Sequence, residues 1–121
     1  MTTIYRVENA DDNGPYVPSD VTLRNGFDRN RHNNDDTHPG YFQDKILLYT
    51  VDNIRRYHFG FSNKRQLRTW FNIKERKLLS DIGYTINKYM VEAKHVVKSE
   101  RQAVFLREHA TFVEHYEVSE F

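Results

Sequence analysis

Several clusters of side chains in this 121-residue chain are of types that can do chemistry. Between Asn63 and Lys77, the six cations Lys64, Arg65, Arg68, Lys74, Arg76 and Lys77 stand against the single carboxylate Glu75. Lys64 and Arg65 fall in the first turn of an expected helix, where a cation opposes the helix dipole by about 0.3 to 1 kcal/mol. Free backbone N–H groups and cationic side chains would point there at one anion, which makes Lys64, Arg65 and Arg68 candidate ligands for a phosphate, a carboxylate or an acidic partner. The plainer reading of the same segment is a solvated basic face. Upstream, RHNNDDTH holds His32, Asp35, Asp36 and His38, all able to ligate a divalent metal, but in no closed zinc spacing. Such residues in a polar loop are ordinarily just hydrated, and no metal is expected. Ser62 lacks the Gly-x-Ser-x-Gly elbow of a hydrolase nucleophile. There is no Gly-x-Gly-x-x-Gly and no Walker-type loop to cradle a nucleotide. Nucleic acid could use the basic helix with Tyr57, Phe59 and Trp70 as stacking rings. Trp70, however, shares an apolar face with Leu67 and Phe71 and reads more simply as core, so nucleic acid ranks below a protein partner.

These residues need elements to hold them. MTTIYRV has strand composition, with Ile4 and Arg6 on one face and Tyr5 and Val7 on the other. From Glu8 to Gly40 the chain carries all three prolines, three of the five glycines and most of the Asn and Asp. It reads as a long polar loop, 8–40, well beyond the usual limit of about 12 to 15 residues for structureless connections, and therefore partly ordered. Residues 41–54 suit either a short helix running into a turn or two short strands. YHFGF (57–61) alternates aromatics as a strand, with Gly60 permitting close backbone approach. Ser62 is the expected N-cap of a helix carrying Leu67, Trp70 and Phe71. A second helix is expected over 74–82, with Leu78, Leu79 and Ile82 on one face and Gly83 as its stop. Residues 84–91, 102–106 and 111–118 read as consecutive strands of a mostly antiparallel sheet. The expected class is α+β, one small domain over 1–121 with one or two helices.

Taken together, these pieces resemble a compact ADP-ribosyltransferase-like domain. IYRV resembles that family's first strand, which presents an Arg or a His to the NAD pocket; the match falls on Arg6, with Tyr5 beside it. FGFSNKRQLRTWF resembles the second motif, an aromatic strand that ends in Ser or Thr and enters a helix; the match falls on Ser62, with His58 just before the motif. GYTINKYMVEAKHVVKSERQAVFLREHATFV resembles the closing part, with a Glu-x-Glu turn, an apolar strand and a final Phe-x-Val. There Glu100 takes the first acidic position and Gln102 stands where the catalytic Glu would be. The resemblance implies NAD as cofactor, bound by Tyr5, Arg6, His58 and Ser62, with Glu100 and Gln102 forming the catalytic turn. In the family the second Glu supports an oxocarbenium-like transition state. Gln keeps the hydrogen bonding without the charge, which weakens electrostatic stabilisation. On another register Glu114 or Glu117 would serve, Glu114 sharing a strand face with Phe112 and Tyr116. A second resemblance is to small tailed-phage proteins, in which YRVE, GPY, HPG and FGFS followed by QLRTWF stand in the same order. It implies a phage origin and a host bacterial protein as partner, in host takeover or anti-defence.

Composition narrows the alternatives. Eighteen Lys and Arg against seventeen Asp and Glu give a formal charge of +1, which does not support a polybasic nucleic-acid protein or an acidic DNA mimic, so any polyanion must bind a local patch. The absence of Cys excludes disulfides, thiolate metal sites and a cysteine nucleophile, and suits a reducing cytosol. Eight Tyr, eight Phe and one Trp can supply much of the core of so small a domain. The start has no basic leader followed by an apolar stretch, and the longest apolar run is far below the roughly 20 residues that span a bilayer. A cytoplasmic protein is expected, in the host cytoplasm if phage-encoded, without membrane contact. Two functions from different classes follow. One is an ADP-ribosyltransferase-like protein that binds NAD or an ADP-ribose ligand and transfers ADP-ribose to a host protein. The other is a non-enzymatic inhibitor that blocks a host defence protein, its polar loop wrapping the partner.

Overall fold

A computed structural model describes residues 1–16, 26–27 and 29–121. In chain order the elements are strand β1 (Thr2–Glu8), the short helices α1 (Arg29–His32) and α2 (Lys45–Thr50), strand β2 (His58–Gly60), helices α3 (Lys64–Trp70) and α4 (Ile73–Asp81), and strands β3 (Thr85–Val91), β4 (Val96–Lys98), β5 (Ala103–Phe105) and β6 (Ala110–Glu117). The class is α+β, as expected. The strands do not form one consecutive sheet, however. They divide into two antiparallel sheets ordered β1-β3-β6 and β2-β5-β4. The three-residue β4 escapes sequence reading because it lies in the polar run EAKHVVKSE and is too short to show a period.

Alternation along β1 and β3 assigns each side chain a layer. Ile4 packs with Tyr89, Val91 and the β5 residues Ala103 and Phe105, on the face toward the second sheet. Val7 and Ile86 point the other way, into a cluster with Leu67, Trp70, Phe71 and Leu79 from the two helices. Each such fully buried side chain contributes about 1.5 to 3 kcal/mol relative to exposure. The sheets are stitched where Tyr5 and Phe61 exchange two backbone hydrogen bonds, both 2.8 Å. Gly60 makes that approach possible, since a Cβ there would lie 2.9 Å from the Tyr5 carbonyl oxygen and 2.8 Å from Ile4 Cγ2.

Local chemistry sets the helix ends. α3 begins one residue later than expected: Asn63 is its N-cap, accepting from the Gln66 amide at 2.8 Å, while the Ser62 hydroxyl donates instead to Gln66 Oε1 at 3.0 Å. Asn caps as well as Ser, and here it is Asn63 that stands three residues before Gln66. α4 starts with a reciprocal capping box between Asn72 and Glu75 and is followed by Gly83 at φ +94°, the left-handed conformation that glycine tolerates. In residues 41–54 the helix alternative holds: α2 is capped by Asp44. Within the long loop, Asn9 folds a turn by accepting from the Asp11 and Asn13 amides, and α1 follows. The rest of that expectation, at 17–25 and 28, lies outside the described residues. On β6 the register shifts, so that Lys88 pairs with Glu114 but Tyr89 with Phe112. This bulge at Val113 puts Phe112 against Tyr89 and leaves Glu114 and Tyr116 on the opposite face, correcting the shared face expected from simple alternation. No helix among the described residues is long and apolar enough to cross a membrane.

Candidate functional site

The seam between the sheets opens into a cavity of about 960 Å³. Arg6 reaches it from β1, Phe59, Gly60 and Phe61 from β2, Trp70 and Phe71 from the end of α3, and Tyr16, His32 and His38 from the long loop. Gln102, just before β5, closes the floor. The volume and a wall that mixes seven Phe, Tyr and Trp side chains with polar groups, Arg6 and Asp35 among them, suit a small-molecule site.

Arg6 is held from behind. Its Nε donates to Glu8 at 3.1 Å and its Nη1 to the Phe59 carbonyl at 2.6 Å. Glu8 is fully buried and also accepts from Asn87 at 2.9 Å and from the Tyr89 hydroxyl, with Arg107 at 3.3 Å. Burial opposes its ionisation, but the Tyr89 and Asn87 hydrogen bonds and the two arginines prevail and hold the carboxyl below its ordinary range. Gln102 is buried and donates to the Pro39 carbonyl at 2.7 Å and to Asp44 Oδ2 at 3.2 Å, tying the cavity floor to the N-cap of α2.

A second network stands on the opposite wall. Glu75 is buried, and its carboxylate accepts from the Asn72 amide at 2.9 Å, from His32 Nε2 at 2.6 Å and from Arg31. Burial alone would raise the Glu75 carboxyl, but these donors outweigh it and bring it down to about 2. With its Nε2 proton committed to Glu75, His32 presents Nδ1 to the Tyr16 hydroxyl at 2.7 Å, and that hydroxyl accepts from Trp70 Nε1 at 2.6 Å. His38 donates from Nε2 to the Trp70 carbonyl at 2.6 Å, and burial lowers its basicity.

The residues singled out in the sequence fall into three groups. Arg6 and Gln102, ninety-six positions apart in the chain, meet at the one cavity. Tyr5 faces Tyr116 and Phe121 on the helix side, His58 packs near Phe105, and Ser62 serves the start of α3. Glu100 is exposed, its backbone carbonyl accepting from Gln66 Nε2 at 3.0 Å. None of these four is among the described wall residues. The cations form the third group: Lys64 lies over the Phe121 ring, Arg68 is exposed, and Arg65 lines a separate cleft of about 110 Å³ with Arg101. His32 and His38, first noticed as metal-ligand types, instead belong to the aromatic wall. Among the described residues no group of three or more His, Asp or Glu is placed to hold a metal. Sequence reasoning missed Tyr16 and Glu75. The one available signal was Asn72-x-x-Glu75, a capping-box spacing that marks Glu75 as fixed in place.

Residues 1–119 match a family model described as Bacteriophage T4 Y00F protein. No curated protein and no solved structure matches the chain. The resemblance to tailed-phage proteins is therefore the one that the comparisons support; the likeness to ADP-ribosyltransferases receives no support from them.

Proposed function

This chain belongs to the Bacteriophage T4 Y00F family, and from that premise we propose that it binds NAD or an ADP-ribose-type ligand in the seam cavity. The observation that carries the reading is the convergence of Arg6 and Gln102 on one cavity of about 960 Å³ with aromatic walls. A guanidinium in a partly closed site suits a phosphate, and flat rings such as Phe59 and Trp70 suit a base or a pyridinium. Gln102 offers hydrogen bonding without charge, so the reading is one of binding first, with transfer to a host protein as the further step that a bound ligand would permit.

Isothermal titration of the full chain with NAD and with ADP-ribose tests it. Saturable one-site binding is expected, and Phe59→Ala, which removes a partly exposed wall ring, should weaken it about tenfold or more while leaving the thermal midpoint nearly unchanged. Affinity unaffected by both Phe59→Ala and Arg6→Ala would place the ligand elsewhere. Absence of binding would move the reading to the non-enzymatic blocking of a host protein, for which the exposed Phe42, Ile46 and Tyr49 around α2 offer apolar surface.

A further inference from the structure

Four side chains from three parts of the chain form an unbroken line of hydrogen bonds that starts at the cavity wall. Trp70 Nε1 donates to the Tyr16 oxygen at 2.6 Å, the Tyr16 hydroxyl donates to His32 Nδ1 at 2.7 Å, and His32 Nε2 donates to Glu75 at 2.6 Å. Glu75 is buried and the His32 side chain is 7% exposed, while Tyr16 turns its hydroxyl inward between His32 and Trp70. The line thus runs from a protected carboxylate to the cavity-lining residues His32, Tyr16 and Trp70. Three of the four are fixed independently: Glu75 by the capping box of α4, Trp70 by the α3 core, and His32 by stacking on Phe27 at 4.8 Å. The Tyr16 oxygen accepts from Trp70 and donates to His32, and all three residues line the cavity.

The geometry points to this line as a proton relay that makes the cavity a hydrolytic site, acting on the glycosidic bond of a bound nicotinamide dinucleotide; the inference rests on the ligand reading above. Water attacks the ribose carbon that bears the nicotinamide. As the new C–O bond forms, the attacking water gives a proton to the Tyr16 oxygen, and the Tyr16 proton passes to His32 Nδ1. The C–N bond breaks with its electron pair going to the pyridinium nitrogen, so nicotinamide leaves neutral. The His32 imidazolium is stabilised by the Glu75 carboxylate until it returns its proton to solvent. The products are ADP-ribose, nicotinamide and one proton. Tyr16 is the catalytic residue that touches the water; His32 and Glu75 act through it. Burial beside the Glu75 charge raises the Tyr16 hydroxyl well above its ordinary range, which keeps it protonated and able to relay rather than act as a standing anion. The charged and titratable groups facing His32 are Tyr16, Glu75 and His38, with Arg31 on the other oxygen of Glu75. Proton relays of this kind contribute rate factors of about 100 to 10,000.

The full chain is incubated with NAD, and released nicotinamide and ADP-ribose are quantified beside a binding titration of the same preparation. Wild type is expected to bind and to release both products in equal amounts. Tyr16→Phe and His32→Asn should each lower kcat about 100-fold while NAD affinity stays within about threefold. Glu75→Gln should move the acidic limb of the kcat profile to lower pH, a change that a merely structural fastener would not produce. NAD that binds but stays intact, or turnover that survives both Tyr16→Phe and His32→Asn, overturns the relay and leaves the ligand reading standing. Absence of NAD binding overturns both.

Discussion

Gln102 shows how much one amide oxygen or nitrogen can decide. Its Nε2 donates to Pro39 and Asp44 in a buried setting, so Gln102→Glu would lose two donations and bring a second carboxylate beside Asp44. The substitution should cost about 3 kcal/mol or more, read as a lower urea midpoint at unchanged slope, rather than create a better catalytic turn. The amide is therefore fitted to its surroundings as an amide. Arg6 and Gln102 are singled out in the sequence only through the likeness to ADP-ribosyltransferases, which the comparisons do not support. Tyr16, His32 and Glu75 could not be grouped from the sequence, since His32 and Glu75 are 43 positions apart and nothing local relates a histidine in a polar loop to the third residue of a helix.

Among the elements, β1 and the two longer helices were legible because apolar period runs over seven or more residues, and β2 because aromatics alternate about Gly60, although the cap of α3 falls on Asn63 and not on Ser62. Leu67, Trp70 and Phe71 at helical spacing do bury one face of α3, and Gly83 does end α4. The division into two sheets was not legible. β2, β4 and β5 are three residues each, and nothing in QAVFL says whether it joins β3 or leaves it for another sheet. Gly60 is the element-scale determinant of that division, since β2 can lie against β1 only where no Cβ intervenes. Gly60→Ala would set a methyl 2.8 Å from Ile4 Cγ2 and 2.9 Å from a backbone oxygen that cannot move freely. Destabilisation of about 1 to 3 kcal/mol is expected by chemical denaturation, together with faster amide exchange at Tyr5 and Phe61, whose paired hydrogen bonds the methyl would force apart.

For the molecule as a whole, stability leans on two buried carboxylates, Glu8 in the first sheet and Glu75 beneath the long loop. Both have folded-state values below the ordinary carboxylate value of 4.5, Glu75 at about 2. A depressed carboxylate stabilises fully above the unfolded value and loses that contribution as pH falls through the folded one. The loss therefore runs from about pH 4.5 down to about pH 2, with Glu75 alone accounting for about 3 kcal/mol. Thermal midpoints measured from pH 6 to pH 2 should fall steeply over that interval, and Glu75→Gln should lower the plateau and flatten the slope. A curve of wild-type steepness in Glu75→Gln would mean that other carboxylates govern acid unfolding.

The two sheets meet through the Tyr5–Phe61 pair, the Arg6 contact to Phe59 and the apolar packing of Ile4 over Gly60, with the cavity lying along the same line. Residues of both leaves line that cavity, so any molecule seated there would act as a clasp across them. Filling the cavity then raises the work needed to part the leaves, so that resistance to being pulled apart depends on how much small molecule the surroundings supply.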